Sequence, residues 1–303
     1  MIQDIYPSKL DNSYKNYEMR DEDILLVFDE KGRILIREQN GKIDFPAATE
    51  IEFAETVYLF SVDDRRFFLA MDSVDGKIDN DVTVHNSISN SVNDSIATSE
   101  ENTDNYLKHY SIRELRDHFS GEESTKKYLF AAFTAYHLWK WYLDSRFCGK
   151  CGSKTKPGDT ERSMCCPVCG NVIYPRINPA VIVGVTKGDS LLITRYRSGY
   201  KHNALVAGFT EIGETLEGTV AREVMEETGV RVKNIRYYKS QPWGMAQDVL
   251  VGFFCEADGD GTIHMDENEL KYAEWVRRED IVLQPNNLSL TNEMMRVFKE
   301  GEE

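Results

Sequence analysis

Residues Gly208–Val230 read GFTEIGETLEGTVAREVMEETGV. From Thr215 onward the stretch lacks proline and is rich in residues that lose little side-chain freedom in a helix. The pattern predicts a helix running to about Thr228, with Gly229 at its C-terminal cap. Glu223 and Glu227 lie four apart and share a face, and Glu226, three beyond Glu223, joins the same acidic patch. Like charges at this spacing destabilise an isolated helix. Arg222 can neutralise only part of them, which leaves a divalent cation as the natural counterion, held by a few hard oxygen ligands with room for phosphate. In an acidic protein the competing reading is a solvated helix face. The ordered approach to the helix argues against it, with Gly208, then Glu214, then the run Arg222-Glu223, Glu226-Glu227, Gly229.

At 303 residues the chain has room for two modest domains and a small module. The formal net charge of -15 argues against broad, nonspecific attraction to nucleic acid or anionic membrane. No apolar run approaches the length that spans a bilayer, and the opening MIQDIYPSKLDNSY has no signal-like apolar core, so a cytoplasmic protein with no membrane partner is expected.

Strand-like runs dominate the beginning. ILLVF, RILIRE, TVYLFSV and RRFFLAM alternate with the turns Lys31-Gly32 and Asp63-Asp64, predicting a β-rich N-terminal domain over 1–110. Between about 72 and 105 the composition shifts to Ser, Asn, Asp and Thr, too poor in large apolar groups to offset ordering entropy, so a disordered insertion is expected. A helical connector follows over 111–147: IRELRDHF, then a long aromatic helix from Thr125 to Phe147. The apolar residues of that second helix cover most of its circumference, as in a helix buried between modules or at a subunit interface.

Five of the six cysteines crowd between Cys148 and Cys169. Two C-x2-C knuckles, Cys148/Cys151 and Cys166/Cys169, each supply two thiolates from one tight turn, which suits a tetrahedral zinc site within a ribbon over 148–175. Cys165 is the spare. A fully cysteinyl site leaves no open position for water, so this zinc is structural. A redox dithiol pair is the alternative, but no thioredoxin-like strand and helix surround it. Cys255, alone in an apolar strand, reads as a small buried hydrophobe. Over 176–303, AVIVGV and SLLITRY form a hairpin at Lys187-Gly188-Asp189, ALVAGFT leads into the acidic helix, VKNIRYYKS, DVLVGFFCEA and YAEWVRR add strands, and TNEMMRVFKE closes the chain as a helix. The class is α+β or α/β, with helices packed on a mixed sheet.

The run from Gly208 matches the Nudix signature G-x5-E-x7-R-E-U-x-E-E-x-G-U at every fixed position, with Val224 and Val230 as its aliphatic residues. With the four-cysteine ribbon ahead of it and Ser240-Gln241-Pro242-Trp243 behind, the chain from Phe147 onward resembles the NADH pyrophosphatase branch of the Nudix hydrolases. The resemblance implies a Nudix αβα sandwich preceded by the zinc ribbon and the β-rich domain. It implies hydrolysis of the diphosphate bond of NAD(H) to AMP and nicotinamide mononucleotide. Removal of an NAD cap from RNA 5′ ends uses the same bond and is a second candidate activity. The resemblance also implies a homodimer.

By the same resemblance, Glu223, Glu227 and Glu269, with the backbone carbonyl of Ala207, hold magnesium or manganese, and Glu226 is the third box carboxylate. The general base is not fixed across the superfamily, and Glu226 is assigned that role as a hypothesis. Glu161, Tyr174, Gln241, Pro242 and Trp243 match substrate-contacting positions, and Phe209 and Trp243 are candidates to stack on nicotinamide or adenine. Glu214 and Arg222 form a structural ion pair. The branch extends its downstream array as SQPWPFPxS, whereas here Gly244, Met245 and Ala246 replace Pro-Phe-Pro and Asp248 replaces the final Ser. That departure touches the nucleotide pocket and leaves open another diphosphate substrate, such as ADP-ribose, a nucleotide sugar or another dinucleotide. A noncatalytic nucleotide sensor is the alternative of another class. Such proteins commonly lose box carboxylates, and here all are present.

Overall fold

Residues 1–39, 41–71, 106–121, 125–199 and 201–303 are described by the computed structural model. They fall into two units, Ile5–Arg176 and Met1–Asp4 with Ile177–Glu303. The insertion expected at about 72–105 lies outside the described residues.

In the first unit, β1 (Leu10–Asp11), β2 (Ile24–Leu26), β5 (Thr56–Val62) and β6 (Arg65–Ala70) form a sheet in the order β1-β5-β6-β2, while β3 (Ile34–Gln39), β4 (Lys42–Asp44) and β7 (Tyr106–Tyr110) form another in the order β4-β3-β7. The β5–β6 hairpin turns at Asp63, whose φ of 54° is left-handed and whose carboxylate accepts the Lys9 N–H at 2.9 Å. Leu25, Phe28, Phe60, Phe67 and Phe68 are fully buried. β7 has no counterpart among the expected strands: YLKHY lacks an alternating apolar set and is held by pairing with the distant β3.

Helix α1 (Ile112–Phe119) opens with a reciprocal capping box between Ser111 and Glu114. Helix α2 (Lys126–Asp144) buries Leu129, Phe130, Phe133, Trp139, Trp141 and Tyr142 and packs on β4, β5 and α1, so its apolar circumference finds partners inside its own unit. Trp139 stacks on Phe28 at 4.9 Å. The ribbon follows as β8 (Lys156–Pro157), β9 (Met164–Cys165) and β10 (Val172–Ile173), in the order β10-β9-β8.

The second unit is built on β11 (Asn178–Lys187), β12 (Ser190–Tyr196), β13 (Val206–Phe209), β14 (Val232–Trp243), β15 (Asp248–Ala257) and β16 (Leu270–Arg277). The sheet runs β14-β15-β11-β12-β16, with β13 also paired to β11. β11 and β15 are parallel, and the remaining pairs are antiparallel.

Alternation along β11 divides the core. Val181, Val183 and Val185 face helix α3 (Leu216–Thr228) and join Val220, Val224 and Phe253, while Ile182 faces helix α4 (Leu290–Glu300) and joins Leu290, Met294 and Phe298. Each fully buried side chain of this size contributes about 1.5–3 kcal/mol relative to exposure. The helix-sheet-helix sandwich is therefore the expected one. Met1–Asp4 join it too, although the N-terminal domain was expected to begin at residue 1. Ile2 is fully buried and donates its N–H to the Leu288 carbonyl at 2.9 Å, a long-range contact that no local pattern announces.

Candidate active site

Helix α3 begins where the Thr215 hydroxyl accepts the Gly218 N–H at 3.0 Å and ends at Gly229, whose φ of 69° and N–H to the Met225 carbonyl close the last turn. Val220 and Val224 are buried on the sheet, and Glu227, one turn on from Glu223, is carried in with them at 2% exposure. The neighbouring strand comes close. A Cβ on Gly208 would stand 2.0 Å from the Glu223 carboxyl carbon, so only glycine lets β13 approach this helix face.

Arg222 organises the outer part of the site. Its Nε and one Nη reach both oxygens of Glu214 at 2.6 and 2.8 Å, Nη2 also reaches the Phe209 carbonyl at 2.9 Å, and Nη1 donates to Glu223 at 2.8 Å and Glu226 at 3.0 Å. Glu214 further accepts from the Thr219 hydroxyl and the Glu211 N–H. The Arg222 guanidinium, followed by the Glu211 amide, draws Glu214 down to a pKa of about 2. The loop between β13 and α3 is thereby fastened to the helix it precedes. This is the structural pair expected of Glu214 and Arg222.

Inside, charge is poorly compensated. Burial first, then the charges of Glu269 and Glu223, push Glu227 up to about 8, with the Ala207 N–H pulling the other way. Glu227 Oε2 is buried without a hydrogen-bond partner. Glu223 is also raised, by burial, against the opposing pull of Arg222. Tyr196 reports the same cluster: burial and the proximity of Glu227, Glu223 and Glu269 raise its pKa, and its hydroxyl donates to the Ala207 carbonyl at 3.5 Å. Glu223, Glu227 and Glu269 thus share one electrostatic neighbourhood beside Ala207, with an orphaned buried oxygen among them. That hard-oxygen set fits a magnesium- or manganese-type cation, which would supply the missing counter-charge. Glu226 stands outside the buried group, with its side chain 59% exposed.

The other expected residues are placed as follows. Phe209 is half exposed beside the Arg222 anchor, Pro242 is exposed, and Trp243 is half-buried at the end of β14. Gln241 is fully buried: its amide nitrogen donates to Leu288 O at 2.8 Å and Gln3 Oε1 at 3.0 Å, and its oxygen accepts the Leu290 N–H at 2.7 Å. Its side chain is committed to holding the start of α4 and the N-terminal residues. Glu161 and Tyr174 lie on the ribbon, in the Ile5–Arg176 unit, where the Tyr174 hydroxyl donates to Glu161 at 2.9 Å. Tyr196 had no sequence signature, being one aromatic at the end of an apolar strand.

In the ribbon the sulfur atoms of Cys148, Cys151, Cys166 and Cys169 lie within 4.8 Å of one another, with closest approaches of 3.5 and 3.6 Å. Four thiolates about 2.3 Å from a tetrahedral centre stand roughly 3.8 Å apart, so the set fits zinc. Cys165 turns away to Ser163.

Residues 176–298 match the family described as NUDIX domain, and residues 143–174 match the NADH pyrophosphatase zinc ribbon domain. The chain carries a NUDIX domain behind that ribbon. Proteins named NAD-capped RNA hydrolase NudC from Shigella flexneri and from Citrobacter koseri are each 45% identical to it over 151 residues, 49% of this chain and 58% of theirs. The match thus spans a little over half the length of these curated relatives. Among solved structures, a NUDIX hydrolase from Nitrosomonas europaea aligns at a TM-score of 0.44 and 23% identity, over 51% of this chain and 91% of that one. The acidic helix, Gly208 and the cluster around Glu227 all lie within the NUDIX domain.

Proposed function

We propose that this chain is a metal-dependent hydrolase that cleaves the diphosphate of NAD(H) into AMP and nicotinamide mononucleotide, and cleaves the same bond at NAD-capped RNA 5′ ends. The observation that carries the reading is the buried, partnerless oxygen of Glu227 among Glu223, Glu269 and the Ala207 carbonyl, inside a NUDIX domain that follows an NADH pyrophosphatase-type ribbon. The names of the relatives support the choice of substrate.

Glu223, Glu227, Glu269 and the Ala207 carbonyl would hold Mg2+ or Mn2+. Bound there, such an ion neutralises diphosphate charge and acidifies a coordinated water. Glu226 is the assigned proton acceptor. Arg222 holds it through Oε2, which leaves Oε1 on the solvent side to take the proton of the attacking water. Arg222 also fixes the Phe209 carbonyl, so the loop that presents the Phe209 ring is preorganised for stacking on a base, with Pro242 and Trp243 as the second wall. Glu161 and Tyr174 on the ribbon are assigned to substrate by resemblance. Gln241 acts through its buried hydrogen bonds, as a support for the strand that carries Pro242 and Trp243.

A homodimer and a cytoplasmic setting belong to the same reading. The dimer rests on resemblance alone, because α2 spends its aromatic surface within its own unit. Among the described residues no helix is long and apolar enough to cross a membrane.

The test is a substrate panel of NADH, NAD, ADP-ribose, a nucleotide sugar and NAD-capped RNA, with Mg2+ or Mn2+, resolved by product chromatography and ranked by kcat/KM. AMP and nicotinamide mononucleotide from the dinucleotides are expected. A second reading is favoured by the replacement of Pro-Phe-Pro and Ser at Gly244–Ala246 and Asp248. Turnover of ADP-ribose or a nucleotide sugar with NAD(H) and capped RNA left intact would establish it in place of the first.

A further inference from the structure

The Ile5–Arg176 unit contains a cavity of about 530 Å³ that the proposed hydrolysis does not use. It is an open cleft lined by residues 14–17, the start of β5 and the ribbon turn that includes β8. Its size falls within the roughly 300–1,000 Å³ of small-molecule sites. Its chemistry runs against the rest of the chain. Lys15, Arg146, Lys154 and Lys156 line it against two carboxylates, Glu55 and Asp159, a surplus of two positive charges in a protein of net charge -15. Among the described residues no carboxylate lies within ion-pair distance of Lys15, Arg146 or Lys156. Cations gathered around one concavity repel one another and focus a positive potential into it, an arrangement that folding alone does not call for.

A second observation lies behind the wall. Arg162 is mostly buried, and burial lowers its pKa; its electrostatic neighbours are Tyr142, Tyr58 and Tyr14, two of which line the cavity. One of its terminal nitrogens donates to the Leu59 carbonyl, while its Nε is buried with no partner. A buried guanidinium without a carboxylate is costly, and an anion in the adjacent cleft would compensate for it. At the cavity wall Tyr17 is 46% exposed, its ring set edge-on to Tyr58 at 5.1 Å with the Arg66 guanidinium over it at 5.2 Å.

We propose that this cleft is a second binding site, for a phosphate-bearing nucleotide, with Lys15, Arg146, Lys154 and Lys156 taking the phosphate and Tyr17 taking the base. The nucleotide is either free or part of an RNA strand, because both offer a base beside a phosphate. The site shares no residue with the NUDIX carboxylates, so it stands or falls separately from the hydrolysis proposed above.

The experiment uses the full, zinc-loaded chain without added Mg2+ or Mn2+. Amide shifts are followed by NMR on titration with AMP, with a short 5′-hydroxyl oligoribonucleotide that has no diphosphate to cleave, and with inorganic phosphate. Shifts at residues 14–17 and 154–159 are expected with AMP or the oligonucleotide. Weakening with added salt is also expected, as is a loss of roughly tenfold or more in affinity for the Lys15→Glu/Lys156→Glu double variant, about 1.4 kcal/mol. Tighter binding of the oligonucleotide assigns the site to RNA, and tighter binding of AMP assigns it to a free nucleotide. NADH hydrolysis by the same variant is expected to match wild type, which keeps a failure of the hydrolytic assignment distinguishable. The proposal is overturned by the absence of shifts at these residues at millimolar ligand. Shifts that survive charge reversal in a variant with native circular dichroism and zinc content overturn it too, as does inorganic phosphate binding as tightly as AMP.

Discussion

Replacing Asp248 by asparagine should stabilise the protein, and increasingly so as the pH rises. Asp248 opens β15 opposite Trp243 and is only 5% exposed, with Oδ1 lacking a hydrogen-bond partner. Burial pushes its pKa from 3.8 to about 7, with the Asn178 side chain pulling slightly the other way. Because the folded value is the higher one, the protonated carboxyl costs nothing below the unfolded pKa. Stability is lost as the pH rises between 3.8 and about 7, where the unfolded chain releases a proton that the fold retains. At about 1.4 kcal/mol per pH unit the ceiling of that loss is about 4 kcal/mol, and between about pH 5 and about pH 8 it amounts to roughly 2.5 kcal/mol. Asparagine keeps the shape and cannot ionise. Urea denaturation of wild type and Asp248→Asn at the two pH values cancels every other titrating group in the double difference. A gain of roughly 2.5 kcal/mol for the variant at the higher pH is expected, and a double difference of zero would refute the claim that this carboxylate is held uncompensated.

Four further outcomes follow from the site. Glu227→Gln should abolish NADH turnover with Mg2+ or Mn2+ while circular dichroism and zinc content stay native, and wild-type-like turnover would remove Glu227 from the ligand set. Gly208→Ala should displace the Glu223 carboxylate, since the new Cβ has only 2.0 Å to its carboxyl carbon; a Mn2+ affinity equal to wild type would contradict that packing. Truncating Gln241 to alanine leaves the buried Leu290 N–H without its partner, while the Leu288 carbonyl keeps the Ile2 N–H, and a loss of about 1–3 kcal/mol in denaturant stability is expected. Cys151→Ser should lose zinc and stability rather than a chemical step, read by metal analysis and thermal melting, and a folded, zinc-loaded variant would show the ribbon ligands to be misassigned.

What could be read from the residues alone was what local chemistry dictates. Thr215 and Gly229 mark both ends of the acidic helix, because a cap hydroxyl and a left-handed glycine leave short-range signatures. The knuckle spacing picked out Cys148, Cys151, Cys166 and Cys169 and set Cys165 aside, and the sulfur geometry agrees. The strand-like runs AVIVGV and DVLVGFFCEA with the helices between and after them foretold helices packed on a mixed sheet, and the residues of β11 are buried on both of its faces. Contacts set by distant partners escaped. β7 exists because β3 offers it a ladder, Tyr196 meets the carboxylates only through the pairing of the sheet, and Gln241, readable as a substrate contact from its motif, is tied to residues 3, 288 and 290. Motif position nominated residues for the site, but could not say which of their atoms are already engaged.

The anchoring of Ile2 beneath Leu288 also bears on the order in which this protein is assembled during synthesis. Synthesis runs from residue 2 towards residue 288, so the two halves of this contact become available far apart in time. The sandwich that carries the carboxylates therefore gains this contact only after residue 288 has been made. Closing so long a span costs little more than closing a moderate one, since the entropy grows only with the logarithm of length. The delay is thus set by the pace of elongation rather than by a steep free-energy penalty, and the Ile5–Arg176 unit has all its own residues, zinc knuckles included, well before its neighbour is complete.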